Sequence, residues 1–392
     1  MQEIKNIVTL DFETFWNSKD YTLSKMGPIS YIRDPRFSVQ LMSVRVNDGP
    51  VAVFDAPDIP HVLKALALET PGTLTVGHNI CGFDGLILAE HYGVHPWRVL
   101  DTIVAARQCG IARLVGESHK VLTEYLQNGE KEAGTVVSDG KRWPQEFTAD
   151  EQEFFKRYCL NDTLQCYDNF RDMVYDTWLA SKEDVADACT MTMRMATQSK
   201  FYLDKEMLIK YAAEQDAAVT AARQELGRLF FFNTDEEFLT AVRSPVTFSN
   251  MLKTLGVAPP MKFSEAKTAT LKKKAHATAV AEGKLEEYKQ REAAGEYDVY
   301  SPALSKNDLE FTDLLNHPDE RVVLLVSTRL QHNTSILRSR TDRLLAVAET
   351  GKPLPMMLSL LKAHTSRYAA GSSEGSDGLN VQNFNKRDPK QL

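Results

Sequence analysis

The chain has 392 residues, 43% of them hydrophobic and 25% charged, with a net charge of −7. This length suits two domains, and the composition is ordinary for globular protein, which excludes a disordered or fibrous chain. Cysteines stand at 81, 109, 159, 166 and 189, an odd count with no CxxC pair. That pattern argues against a disulfide framework or a structural zinc and for a reducing, cytoplasmic setting. No apolar run reaches the length of a membrane span, and the N-terminus runs into a strand-like segment without a basic leader, so no membrane partner is expected.

Net charge is unevenly placed. Residues 1–180 sum to −8 and residues 181–320 to −5, whereas residues 321–392 hold 11 Lys/Arg against 5 Asp/Glu. An acidic front that collects metal and a basic tail that meets phosphate would produce this split.

In chain order, Ile4–Leu10 reads as a buried strand leading into an acidic turn. The segments Phe37–Val46 and Val51–Phe54 flank Gly49-Pro50 and read as a hairpin. Pro60–Leu68 reads as a short helix, Leu74–His78 as a second buried strand, and Asp84–Tyr92 as a helix. Thr148-Ala-Asp-Glu151 has the capping-box pattern and predicts a helix through Met173. Strands interleaved with helices define an α/β domain, placed at residues 1–178. Residues 179–392 read as mostly helical: Val185–Ala196, Lys205–Leu229, an Ala/Lys/Glu-rich insertion at 265–296, and a run over Leu309–Thr350. The Gly/Ser-rich stretch at 371–378 reads as a loop, and Lys272–Lys274 as a solvated helix face.

The chemistry lies in carboxylates. Asp11 and Glu13 are two apart on the first strand and so face the same side. Alone the pair means little, since 53 acids in 392 positions give roughly 7 such pairs by chance. His78-Asn-Ile-Cys-Gly-Phe-Asp84 places a third acid just after a buried strand, and Tyr158-Cys-Leu-Asn-Asp162 places a fourth on a helix, one turn from Tyr158. Four hard oxygen donors suit two Mg²⁺ or Mn²⁺ and not zinc. Asp101 and His78 read as structural, and neither His95 nor His119 has metal-ligand spacing.

Asp11-Phe-Glu13-Thr, Asn79-x-x-x-Phe83-Asp84 and Tyr158-x-x-x-Asp162, with gaps of 73 and 78 residues between the acids, resemble the three motifs of the DEDD exonuclease superfamily, tyrosine subclass. The resemblance covers about residues 4–178. It implies a ribonuclease-H-like fold, 3′→5′ hydrolysis of DNA ends, two metals held by Asp11, Glu13, Asp84 and Asp162, a water oriented by Tyr158, and a terminal nucleotide lined by Asn79 and Phe83. Farther on, Ser249-Asn250-x-x-Lys-Thr-Leu-Gly-Val-x-Pro-Pro-Met-Lys262, then His317-Pro-Asp-Glu, then Ala363-His-Thr-Ser-Arg367-Tyr with Leu379-Asn-Val-Gln382-Asn383, resemble the thumb of phage-type family A DNA polymerases. There the resemblance implies contacts to primer–template DNA by Ser249, Asn250, Arg367, Gln382 and Asn383, with Ser366 where the family carries glycine. It also implies the exonuclease and thumb of a split or truncated proofreading polymerase, with palm and fingers on a second chain, because the palm aspartates have no counterpart before residue 392. The alternatives are a stand-alone exonuclease acting on DNA or RNA and a DNA-binding accessory subunit with a vestigial nuclease site.

Overall fold

The computed structural model describes residues 4–130, 135–175, 182–332, 336–363, 365 and 367–370. They fall into two compact units, Met1–Leu203 with Val347–Leu392, and Asp204–Ala346.

The first unit is built on five strands: β1 (Asn6–Thr14), β2 (Val39–Val46), β3 (Val51–Asp55), β4 (Thr73–Gly77) and β5 (Arg98–Asp101). Their order is β3-β2-β1-β4-β5. The hairpin strands pair antiparallel with each other and with β1, whereas β4 and β5 run parallel to β1. β1 is rich in β-branched and aromatic residues, and its period-2 alternation sorts the two faces. Val8, Leu10 and Phe12 enter a core with Leu86, Ile87 and Leu88. The opposite parity, carrying Thr9, Asp11 and Glu13, lies on the other face, which the Ala149–Phe170 helix covers.

That helix starts where the capping box places it. Thr148 Oγ1 accepts the Glu151 N–H at 3.3 Å, and Glu151 Oε2 accepts the Thr148 N–H at 2.9 Å. Its apolar side supplies Phe155 and Cys159 to a cluster with Leu41, and Cys166, Tyr167 and Phe170 to a second with Leu74, Val76 and Leu100.

Two features differ from the sequence reading. The Lys182–Thr197 helix, assigned to the second domain by a boundary at 178, belongs to the first unit: Thr190 Oγ1 accepts the Val99 N–H at 2.9 Å and Asp187 pairs with Arg98 at 2.6 Å. The chain also returns to this unit after residue 346, where Arg107 donates to the Leu360 carbonyl at 2.7 Å and the Leu354 N–H to the Phe201 carbonyl at 2.7 Å. Arg367 therefore belongs with the carboxylates and not with the helical unit.

The second unit is mostly helical and packs Val219, Leu226, Phe238, Phe248, Leu252, Phe311 and Val326 together. Its longest helix, Lys205–Phe230, opens on Asp204, whose side chain accepts the Met207 N–H at 2.9 Å. The predicted insertion is a pair of helices, Glu265–Glu282 and Leu285–Ala293, carried between strands β6 (Met261–Phe263) and β7 (Tyr300–Pro302), a ribbon the sequence reading missed. Lys272 pairs with Glu292 at 3.5 Å, and Lys273 and Lys274 are exposed, in keeping with a solvated face. The run Leu309–Thr350 is not one helix. It breaks at His317, which is extended (ψ 142°) because Pro318 follows and disfavours helical backbone before it. Among the described residues, no helix is long and apolar enough to cross a membrane.

Candidate active site

Asp11 and Glu13 project from the last turn of pleat on β1. A register shift between Glu13 and Thr14 interrupts the ladder with β2, the kind of irregularity that re-aims a side chain at a sheet's end. The parallel ladder to β4 stops at Thr9↔Val76, so the Phe12 N–H has no strand partner on that side. Asp84 takes it: its Oδ1 accepts the Phe12 N–H at 3.1 Å. The third acid is thereby anchored on the strand between the first two.

The helix carrying Asp84 can approach so closely because Gly85 follows. A Cβ at position 85 would lie 2.6 Å from the Ile80 carbonyl and 2.6 Å from Met193 Sδ. Gly85→Ala is expected to cost roughly 1–3 kcal/mol, the usual penalty for overpacking. It should also lower activity, because the Asp84 helix must move to relieve a contact with backbone; a melting curve and a nuclease assay on the same sample check both. Retained activity with unchanged melting would contradict the close approach.

From the opposite side come Tyr158 and Asp162, both buried on the Ala149–Phe170 helix. Burial holds the Tyr158 hydroxyl far above its ordinary pKa, and Glu13, Asp162 and Asp11 push it the same way, as does a side-chain hydrogen bond with Asp162. The hydroxyl is thus a protonated donor among three acids. Asp84 is pushed up to about 7, mainly by burial and with Asp101 adding to it, against the Phe12 N–H. The structure therefore brings together Asp11, Glu13, Asp84, Tyr158 and Asp162. Donor atoms gathered this closely fit a divalent cation: Asp11, Glu13 and Cys159 place one donor atom each within 4.8 Å of one another.

Cys159 was not singled out in sequence. The signal was present, since it stands three before Asp162 on the same helix and so shares its face.

The neighbouring loop is organised by Asp101. Its carboxylate accepts the N–H groups of Asn79 at 3.0 Å, Cys81 at 3.1 Å and Ile103 at 2.9 Å, which leaves it a structural role. Asn79 sits at φ 60°, and Gly82 gives its side chain room, a Cβ there falling 2.6 Å from Asn79 Oδ1. His78 Nδ1 lies 2.8 Å from Thr102 Oγ1, and its ring stacks on His119 at 4.8 Å. A cavity of about 360 Å³ opens at this loop, lined by Asn79, Phe83, His78, Asp101, Arg107 and Lys362 among others, and by none of the five residues Asp11, Glu13, Asp84, Tyr158 and Asp162.

The expected nucleic-acid contacts fare unevenly. Ser249 is buried and donates its hydroxyl to the Pro245 carbonyl at 2.7 Å, which leaves its oxygen only acceptor capacity. Asn250 and Arg367 are exposed. Ser366, Gln382, Asn383 and the 371–378 loop lie outside the described residues.

The chain is similar in fold to solved structures. The chain is similar to the POL domain of Pol1 from M. smegmatis in complex with DNA primer–template and dNTP, with a TM-score of 0.52 and 12% identity over 99% of this chain and 53% of that one. At this identity the likeness is one of fold, and the chain spans about half of that polymerase chain. It is also similar to Brucella melitensis NrnC with bound Mg²⁺ (TM-score 0.33, 18% identity, 48% of this chain and 81% of that). A further likeness is to Escherichia coli RNase D, an exoribonuclease involved in structured RNA processing (TM-score 0.36, 13% identity, 92% of this chain and 75% of that). No protein-family model and no curated protein sequence matches the chain.

Proposed function

We propose that this chain is a 3′→5′ exonuclease that removes nucleotides from DNA ends, working as the proofreading part of a family A DNA polymerase. The observation that carries the reading is the meeting of Asp11, Glu13 and Asp84 on one side with Tyr158 and Asp162 on the other. Asp11, Glu13, Asp84 and Asp162 would hold two Mg²⁺ or Mn²⁺, which supply an activated water and stabilise the leaving 3′-oxygen. Tyr158, whose hydroxyl burial and the neighbouring acids hold above its ordinary pKa, would orient that water. Asn79 and Phe83 line the cavity at the loop that leads into Asp84 and would hold the terminal nucleotide.

The polymerase association rests on the likeness of fold to Pol1 over nearly the whole chain and on the thumb-like motifs. Nucleotide addition would then come from palm and fingers on another chain. The test uses 5′-labelled single-stranded DNA and RNA of one sequence with Mg²⁺, followed by primer extension with and without a palm-bearing chain. A ladder shortening from the 3′ end of DNA supports the reading. Preference for RNA would move it to the stand-alone exonuclease, and extension by this chain alone would defeat the split arrangement.

Arg367 is exposed, and its guanidinium suits a phosphate. Primer–template affinity is expected to fall with salt, and Arg367→Ala to weaken binding and reduce the slope of log affinity against log salt by about 0.7–0.9, the share of one phosphate contact. Anisotropy titrations at several salt concentrations measure this, and an unchanged slope removes Arg367 from the interface.

A further inference from the structure

The carboxylate site has a donor that its proposed chemistry does not use. Cys159 is fully buried, and its sulfur stands within 4.8 Å of one oxygen each of Asp11 and Glu13. Its place is set by the fold. Ser43 lies directly opposite Asp11 across the β1–β2 ladder, and its hydroxyl donates to the Cys159 carbonyl at 2.7 Å. The same Ser43 oxygen lies 2.6 Å from Thr163 Oγ1, one helical turn beyond Cys159. The helix is thereby pinned to the strand at this residue, with the thiol directed at the two carboxylates.

We infer that Asp11, Glu13 and Cys159 form a mixed hard–soft site for a thiophilic divalent cation such as Zn²⁺ or Cd²⁺. Carboxylates alone serve Mg²⁺ and Mn²⁺, which have little affinity for sulfur, whereas one thiolate shifts preference towards softer ions. The sulfur binds as thiolate, so binding releases the Cys159 proton to solvent and forms the metal–sulfur bond, with no change of oxidation state. Because the site shares Asp11 and Glu13 with the proposed catalytic metals, a soft ion seated there competes with them. The inference rests on the nuclease reading only for this last consequence.

Cd²⁺ is the probe. Titration of the purified full-length protein should produce the ultraviolet thiolate-to-cadmium charge-transfer band. Cys159→Ser should lose it, and Cys166→Ser, which changes a buried cysteine in the same helix, should keep it. Asp11→Asn, which leaves the thiol in place, should weaken Cd²⁺ binding at least about tenfold, the scale seen even for loss of an outer partner. Circular dichroism verifies folding, and if Cys159→Ser fails to fold, Cys159→Ala and Asp11→Asn decide. A band that persists without Cys159, or Cd²⁺ affinity indifferent to Asp11, overturns the inference. The band is read independently of hydrolysis. Mg²⁺-dependent nuclease activity without the band sinks the soft site alone, and the band without nuclease activity sinks the functional reading alone.

Discussion

Replacing Asp11 and Glu13 together by alanine is expected to lower 3′-end hydrolysis by about three orders of magnitude or more. Both residues face the Ala149–Phe170 helix from one strand, and between them sits the backbone N–H that anchors Asp84. Their removal takes away the carboxylates that would fix the catalytic metals. Loss of that stabilisation costs several kcal/mol, at tenfold in rate for each ~1.4 kcal/mol. Folding should survive, because the buried side of β1 is made by Val8, Leu10 and Phe12, which the substitutions leave alone. Product ladders from 5′-labelled DNA in excess Mg²⁺ measure the loss, and wild-type rates in the double variant would refute the assignment. Tyr158→Phe should be milder, about tenfold to hundredfold. Only an orienting hydroxyl goes, and a full general acid or base contributes more.

Much of this site was legible in the sequence, for reasons that differ from residue to residue. Asp11 and Glu13 could be placed on one face because a strand has a period of two, and Tyr158 with Asp162 because a helix repeats near four. The capping box at Thr148 located the helix start to the residue, since its hydrogen bonds are local. Features that depend on tertiary approach were not legible. No local pattern announces that β4 leaves β1 after Thr9 and frees the Phe12 N–H for Asp84. Nor does one show that Gly85 lies under Met193, or that residues 347–370 return to the first unit. The burial of Ser249 was not legible for the same reason. Its motif suggested a ligand contact, while its buried position turns the hydroxyl back on its own helix. The break at His317 was readable in principle from Pro318, but apolar periodicity on both sides hid it.

Asp84→Asn is expected to abolish most of the nuclease activity and, in the metal-free protein above pH 7, to raise stability. The two effects have one origin. Asp84 is almost fully buried, and its carboxyl is pushed up to about 7, chiefly by that burial. An unfolded chain would ionise it near ~3.9. A group whose folded pKa lies above its unfolded value stabilises the fold most below the unfolded pKa, and that contribution is lost as pH rises to the folded one. Metal-free wild type should therefore lose stability between about pH 4 and pH 7 on account of Asp84. Asparagine has nearly the same shape, and its carbonyl oxygen still accepts the Phe12 N–H that Asp84 now binds at 3.1 Å. It carries no charge to bury, so the variant should lack this part of the pH dependence. A gain of roughly 1–3 kcal/mol at pH 8 follows, or about 2–4 °C of melting temperature for each kcal/mol. Mg²⁺ should then raise the melting temperature of wild type more than that of the variant, because the cation rewards the charge that asparagine lacks. Melting curves in chelator and in Mg²⁺, at pH 5 and pH 8, contain the whole comparison. A variant less stable than wild type in chelator at pH 8 would show that the buried carboxylate is already compensated by its neighbours. A variant that keeps full activity would remove Asp84 from the catalytic set.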